Sequence, residues 1–423
     1  MGYKQSKYNI IIKDENGTKT IFNSFSNGIS EFDPKSYNDL VTANENGEYF
    51  QEMVKQGFLV LDKVDETRRV LELHQKYIYN SFPEKMQFTI APTLRCPLDC
   101  YYCFEERHDG CIMSDETADK IIDYMLTALK NNINCKLLHI TWFGGEPLLA
   151  PNVIYKIGKA MQSYCEQNNI EFTSKMLTSG VLFKEDYFDK LVDEKILTSV
   201  QYTLDGDEET FMNTKKGKKG MYDTILRAIN YSAQKIETYV RMNVTKLNQD
   251  SLLAAIENII KNCPSNAKII PYAMPVVDYG MEADNACNLT NDKDINAFRQ
   301  KIIDILQKYN LYKYDVLHGV RSLSAFCGAM RLCNLTFGPN GEMYRCENLI
   351  GNKTHEVGNI NDGLYYNDAY YKLPLSKIDD KCLNCEYLPV CWGGCPVHKH
   401  IYNKDIDCEA VKESVKYRLN QKL

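Results

Sequence analysis

Eleven of the sixteen cysteines in this 423-residue chain fall into two tight clusters, and nothing else constrains its fold as strongly. The first cluster is Cys96, Cys100 and Cys103. The second is Cys327, Cys333, Cys346, Cys382, Cys385, Cys391, Cys395 and Cys408. Intracellular cysteines at short, regular gaps are usually metal ligands, and a reducing compartment keeps them as thiols, so no disulfide framework is expected. The only early apolar stretch, residues 10–12, runs straight into Asp14 and Glu15, so it does not read as a signal peptide. No apolar run approaches the roughly 18 residues of a membrane span. With 50 Lys and Arg against 56 Asp and Glu, the net charge of −6 gives no phosphate-binding footprint. Neither nucleic acid nor a membrane is an expected partner.

The chain reads in three parts. Residues 1–84 contain no clustered cysteine. Residues 8–13 and 18–22 form a hairpin across Asn16-Gly17, and Asn27-Gly28 permits a third strand. Helical patterning follows over 48–56 and 64–80, which describes a small winged-helix-like module with a linker near Pro83. Residues 85–310 alternate strands (87–91, 137–143, 172–177, 199–204, 239–244, 268–273) with amphipathic helices, the first capped by Ser114. Six βα units imply a parallel α/β sheet, open or a partial barrel, with ligands at the carboxyl ends of the strands. Residues 311–423 are irregular, and metal would supply the constraint that periodic elements do not.

After the first strand the chain runs Thr93-Leu94-Arg95-Cys96-Pro97-Leu98-Asp99-Cys100-Tyr101-Tyr102-Cys103-Phe104. Three thiolates on one short loop can hold three irons of a 4Fe–4S cube and leave the fourth open. A zinc site wants a fourth protein ligand, and none lies close by in sequence. The second strand ends in Trp142-Phe143-Gly144-Gly145-Glu146-Pro147, where paired glycines let the backbone approach a ligand. With these signals in this order, residues 87–408 resemble the radical S-adenosylmethionine (SAM) enzymes.

That resemblance implies a partial (βα)6 TIM-like barrel. It implies that Cys96, Cys100 and Cys103 ligate a cluster whose open iron chelates the amino and carboxylate groups of S-adenosylmethionine. Tyr102 would then pack near the adenine, and Gly144, Gly145, Glu146 and Pro147 would meet the amino group. Thr178, Ser179, Gly180, Asp205 and Gly206 would line the ribose and methionine, and Arg241 is a candidate partner of the carboxylate. Ser179 replaces the commoner asparagine, and Asp205 also reads as an Asp-Gly turn residue. A 5′-deoxyadenosyl radical made there would take hydrogen from an unactivated carbon, with the protein holding the substrate and excluding water.

The second cluster, C-x5-C-x12-C followed by C-x2-C-x5-C-x3-C-x12-C, resembles the SPASM extension of these enzymes, including Gly341 and Gly393-Gly394. The resemblance implies two auxiliary 4Fe–4S clusters, three in all. One would take Cys327, Cys333, Cys346 and Cys395, and the other Cys382, Cys385, Cys391 and Cys408. Paired zinc ribbons share the Cys-x2-Cys motif. Full ligation by protein favours electron transfer over substrate binding.

Most SPASM enzymes modify peptides or proteins. The segment of residues 1–84, ahead of the barrel and its cysteine loop, favours a maturase of ribosomally made peptides, whose N-terminal domain would pair a strand edge with the leader of a precursor peptide. A thioether crosslink to a cysteine of the core peptide is favoured, with carbon–carbon coupling as the variant. The alternatives are an anaerobic sulfatase-maturing enzyme making formylglycine and, from another class, a non-catalytic iron–sulfur electron carrier. A flavodoxin or ferredoxin donor and an anaerobic cytoplasm are expected. The run Lys215-Lys216-Gly217-Lys218-Lys219-Gly220 reads as a solvated loop. Asp278 and Asp315 lie near the expected site, but no residue is assigned as the general base.

Overall fold

The computed structural model describes residues 2–105, 110–276, 292–311 and 327–420. It divides into two compact units, one of Met1–Tyr79, Tyr314–Arg331 and Leu375–Leu423, the other of Asn80–Lys313 and Leu332–Pro374.

The first unit contains strands β1 (Tyr3–Gln5), β2 (Asn9–Glu15), β3 (Thr18–Asn23), β4 (Ile29–Phe32) and β5 (Leu59–Leu61), with helices α1 (Pro34–Val41), α2 (Phe50–Lys55) and α3 (Glu66–Tyr79). Strands β2, β3 and β4 form an antiparallel sheet in chain order. Asn16 and Gly17 both take positive φ, which is why Asn-Gly suits the two-residue turn between β2 and β3. Short β1 pairs with β5. Asp33 starts α1 by accepting the Ser36 amide. Ile10, Ile12 and Phe22 pack with Tyr387, Val390, Val415 and Leu419. The last two belong to the C-terminal helix Cys408–Asn420, so the two ends of the chain share one core.

The second unit is built on β6 (Lys85–Ile90), β7 (Leu137–Trp142), β8 (Glu171–Thr178), β9 (Ser199–Leu204), β10 (Glu237–Val244) and β11 (Ile269–Pro275). These six lie side by side in chain order and all pair in parallel. This is the (βα)6 partial barrel, with crossover helices α4 (Asp115–Asn131), α5 (Pro151–Gln167), α6 (Glu185–Asp193), α7 (Glu208–Lys215), α8 (Met221–Ala233) and α9 (Gln249–Lys261). Ser114 caps α4 through the Thr117 amide. Beyond β6 the sheet continues with β12 (Leu335–Phe337), parallel to β6, and the antiparallel β13 (Glu342–Tyr344), β14 (Gly358–Asn359) and β15 (Gly363–Leu364). Residues 332–374 thus pack with the barrel, although their sequence reads as part of the irregular third segment.

Alternation along the strands separates two faces. Met86, Phe88, Ile90, Leu138, Ile140 and Trp142 are buried, whereas Gln87, Thr89, His139, Thr141, Thr173 and Lys175 on the opposite face are only half-buried. The barrel interior is therefore polar, unlike the filled apolar core of a closed (βα)8 barrel. Among the described residues, no helix is long and apolar enough to cross a membrane.

Candidate active site

The cysteine loop leaves the carboxyl end of β6, and the turn after β7 is laced onto it. The Gly145 amide donates to Thr93 O (3.1 Å) and the Glu146 amide to Arg95 O (2.9 Å). A Cβ on Gly144 (φ +107°) would sit 2.2 Å from Thr93 O, and one on Gly145 would sit 2.4 Å from Arg95 O. The glycine pair therefore lets this turn approach the backbone of the cysteine loop. The loop thiols sit close enough to feel one another's charge. Burial is the larger effect, pushing Cys96 up to about 11 and Cys100 up to about 12. Loading a metal must therefore displace protons. Among the described residues no three His, Cys, Asp or Glu side chains converge on one metal ion. Three thiolates on one short loop would hold three irons of a 4Fe–4S cluster, one thiolate per iron.

Glu146 is fully buried. Its Oε1 accepts from Thr178 Oγ1 (2.6 Å) and the Leu148 amide (3.1 Å), and its Oε2 from the amide (2.9 Å) and hydroxyl of Ser179. One carboxylate thus joins the turn after β7 to the turn after β8. Ser179 fills its position by giving two donors to the same oxygen, a role its residue type alone did not announce.

Asp205, at the end of β9, is buried and central to a second network. Its carboxylate accepts from the Tyr102 hydroxyl and from Thr214 Oγ1 (3.3 Å), and lies 3.6 Å from Lys215 Nζ. Asn243 Nδ2 donates to Tyr102 Oη (3.1 Å), and Asn243 Oδ1 accepts from Arg241 Nε (2.9 Å). Burial, reinforced by Asp205, holds the Tyr102 phenol well above its usual range, so it stays a donor. Asp205 is therefore more than a turn residue, and Lys215 is no part of a solvated loop, with its side chain 1% exposed. Asn243 and Asn248, which clamps the Asp205 and Asn243 carbonyls, join this candidate site although no sequence motif marks them.

Arg241 and Lys175 are cations on the interior face of the barrel strands. Lys175 Nζ lies 3.8 Å from the centre of the Tyr239 ring. Burial pulls its pKa down to about 8, with Glu237 opposing and Arg241 reinforcing the shift. The unfolded chain keeps that proton to about 10.5, so the folding penalty is full below pH 8 and fades between 8 and 10.5. Lys175→Met is expected to raise stability at pH 7 by roughly 1 kcal/mol, discounted for screening and the lost ring contact, and by much less at pH 10. Denaturant midpoints at the two pH values check this, and an equal gain at both would contradict it.

In the first unit Cys382, Cys385, Cys391 and Cys408 all line one cavity of about 40 Å³, beside Gly393 and Lys399. Trp392, Gly393 and Gly394 have successive positive φ angles, which turn the chain back over Cys391, whose carbonyl accepts from the Gly394 amide (2.9 Å). Burial raises the Cys391 thiol, and the nearby Gly393 and Gly394 amides oppose that only in part. Such a site fits an anionic, thiolate-held cluster. Cys327 and Cys395 also belong to this unit, whereas Cys333 and Cys346 belong to the barrel unit, flanking β12 and β13. Asp278 and Asp315 lie outside the described residues.

Comparison with known proteins agrees with this geometry. Residues 90–259 match the Radical SAM superfamily. The chain is 23% identical to a serine-type anaerobic sulfatase-maturating enzyme of Klebsiella aerogenes, over 72% of this chain and 77% of that one. It is also 23% identical to the radical SAM cyclopropyl synthase TigE of Paramaledivibacter caminithermalis, over 92% and 89%. The crystal structure of Streptococcus suis SuiB bound to its precursor peptide SuiA superposes with a TM-score of 0.55 at 16% identity, covering 95% of this chain and 97% of that one. A domain of this superfamily binds a 4Fe–4S cluster and S-adenosylmethionine. Residues 90–259 are thus a radical SAM domain, in a chain similar over most of its length to sulfatase- and peptide-modifying radical SAM enzymes.

Proposed function

We propose that this enzyme matures a ribosomally made precursor peptide by forming an intramolecular crosslink, with a thioether to a core cysteine favoured. The observation that carries this reading is the region ahead of the cysteine loop, a three-stranded sheet with β4 at one edge and three helices. An extended leader adding to such an edge gains main-chain hydrogen bonds and side-chain pockets. TigE and SuiB match more than nine-tenths of the chain, against 72% for the sulfatase-maturating relative, which supports the same choice.

When bound, S-adenosylmethionine and its cluster supply a 5′-deoxyadenosyl radical able to remove hydrogen from an unactivated carbon. Cys96, Cys100 and Cys103 would hold that cluster. The turns joined by Glu146, with Asp205 and Arg241, would hold the methionine and ribose, and Tyr102 would pack near the adenine. The polar barrel interior would admit a peptide backbone and orient it. Joining sulfur to carbon takes from the peptide one hydrogen atom, one proton and one electron. Auxiliary clusters on Cys382, Cys385, Cys391 and Cys408, and on Cys327, Cys333, Cys346 and Cys395, would give the electron a route out. A flavodoxin or ferredoxin would supply the reducing electron, in an anaerobic cytoplasm.

The test is anaerobic co-expression with the nearest short, cysteine-containing peptide gene, followed by peptide mass and thiol counting. Loss of two hydrogens per linkage with matching thiol loss is the expected result. Loss of hydrogen with thiols intact would establish carbon–carbon closure, the second reading, which the likeness to TigE favours. An unchanged peptide, together with an aldehyde appearing on a sulfatase Cys or Ser, would replace both with formylglycine formation.

A further inference from the structure

Helix α7 ends against the cysteine loop. The last carbonyls of a helix lack partners within it and must find donors elsewhere. Here Lys215 O accepts from the Asp99 amide (2.9 Å) and Thr214 O from the Tyr101 amide (3.2 Å). Both donors lie between Cys96 and Cys103, so the end of α7 is a template for the cysteine loop.

Something must fix that end, because only Phe211 and Lys215 of α7 are buried. They are four residues apart and so share one face of the helix. Gly217, where a Cβ would sit 2.0 Å from Phe211, lets the following turn wrap the ring. Lys215 turns inward instead of following its exposed neighbours Lys216, Lys218 and Lys219. Its Nζ donates to Thr203 O (3.0 Å) and Thr203 Oγ1 (2.7 Å) beside the Asp205 carboxylate. A buried ammonium is tolerated only with such partners, and it ties α7 to the end of β9.

We infer that Lys215 is a positioning residue for the cluster loop: its buried ammonium, anchored on Thr203 and Asp205, sets the α7 carbonyls that hold Asp99 and Tyr101, and so the spacing of Cys96, Cys100 and Cys103. The inference rests on these three cysteines being the ligands of the SAM-binding cluster. Its structural half does not need the cluster to be present.

Hydrogen exchange on the metal-free protein reads the loop directly. Lys215→Met keeps most of the side-chain volume without the charge, and Lys215→Arg keeps the charge. The double variant Lys215→Met/Asp205→Asn leaves no unpaired carboxylate, so it remains readable if the single variant fails to fold. In Lys215→Met and in the double variant, the Asp99 and Tyr101 amides are expected to exchange at least tenfold faster, while the amides of β6 and β7 keep wild-type rates. After anaerobic reconstitution, the change that S-adenosylmethionine makes in the electron paramagnetic resonance signal of the reduced protein is expected to be lost in both and recovered in part by Lys215→Arg. Wild-type exchange at Asp99 and Tyr101 in the double variant would overturn the inference. A wild-type protein that shows no S-adenosylmethionine-dependent signal would overturn the cluster assignment, which the exchange data alone could not do.

Discussion

Glu146→Ala is expected to abolish S-adenosylmethionine cleavage and to lower stability on the order of 3–5 kcal/mol. The size follows from the four donors this carboxylate satisfies, two on each oxygen, at a site with no exposed surface. Removing it leaves the Thr178 and Ser179 hydroxyls and two backbone amides without an acceptor, and each buried unmet donor costs about 1–3 kcal/mol before relaxation. Glu146→Gln is expected to fail almost as badly, because one amide oxygen replaces two and the new NH2 group faces donors. The functional loss has a separate cause. Glu146 follows the glycine pair docked on the carbonyls of Thr93 and Arg95, so its turn links the cysteine loop to the end of β8. The checks are a denaturant midpoint and the yield of 5′-deoxyadenosine from reduced, reconstituted protein. A variant with the wild-type midpoint and yield would show that the carboxylate organises nothing.

The barrel was legible because each of its strands carries a long enough pattern. The expected span 199–204 is the observed Ser199–Leu204, and 137–143 overshoots Leu137–Trp142 by one residue. Alternation of apolar and polar residues survives in these strands because helices cover one face while the other lines a polar interior. Strands of two or three residues carry no such signal, so β1, β5 and the run from β12 to β15 were not foreseen. β12 exists because Leu335–Phe337 finds the free edge of β6, a tertiary circumstance. The two cysteine clusters are legible as spacing, but the residues that support the cysteine loop are not. Lys215 heads a run of six residues with four lysines and looks solvated, yet it is the one whose helical position points inward, four residues after Phe211. Asn243 and Asn248 likewise act by geometry, since an asparagine on a strand or in a turn has no spacing to mark it.

Replacing Cys382 and Cys391 together with serine is expected to loosen the amino-terminal strands as well as the cysteine loop they occupy. Cys385 and Cys391 pack against the core of Ile10, Ile12, Phe22, Val415 and Leu419, and Cys382 against that of Tyr8, Val70 and Leu388. A cluster held by Cys382, Cys385, Cys391 and Cys408 would therefore stitch together segments from the two ends of the chain. Little periodic structure lies between residues 379 and 407, where the helices Asp380–Leu383, Leu388–Cys391 and Pro396–His400 are four or five residues long. Helices this short are marginal without outside support, so metal carries much of the ordering. The variant is expected to lose about four irons per chain and to exchange the β2 and β3 amides at least tenfold faster. Slow reductive cleavage of S-adenosylmethionine without peptide is expected to continue, because Cys96, Cys100 and Cys103 belong to the other unit. Full iron content with wild-type exchange in β2 and β3 would remove the cluster from this cavity. If cleavage were lost while the barrel amides kept their protection, the auxiliary site would be needed for the first step, and its assignment to electron removal after hydrogen abstraction would fall.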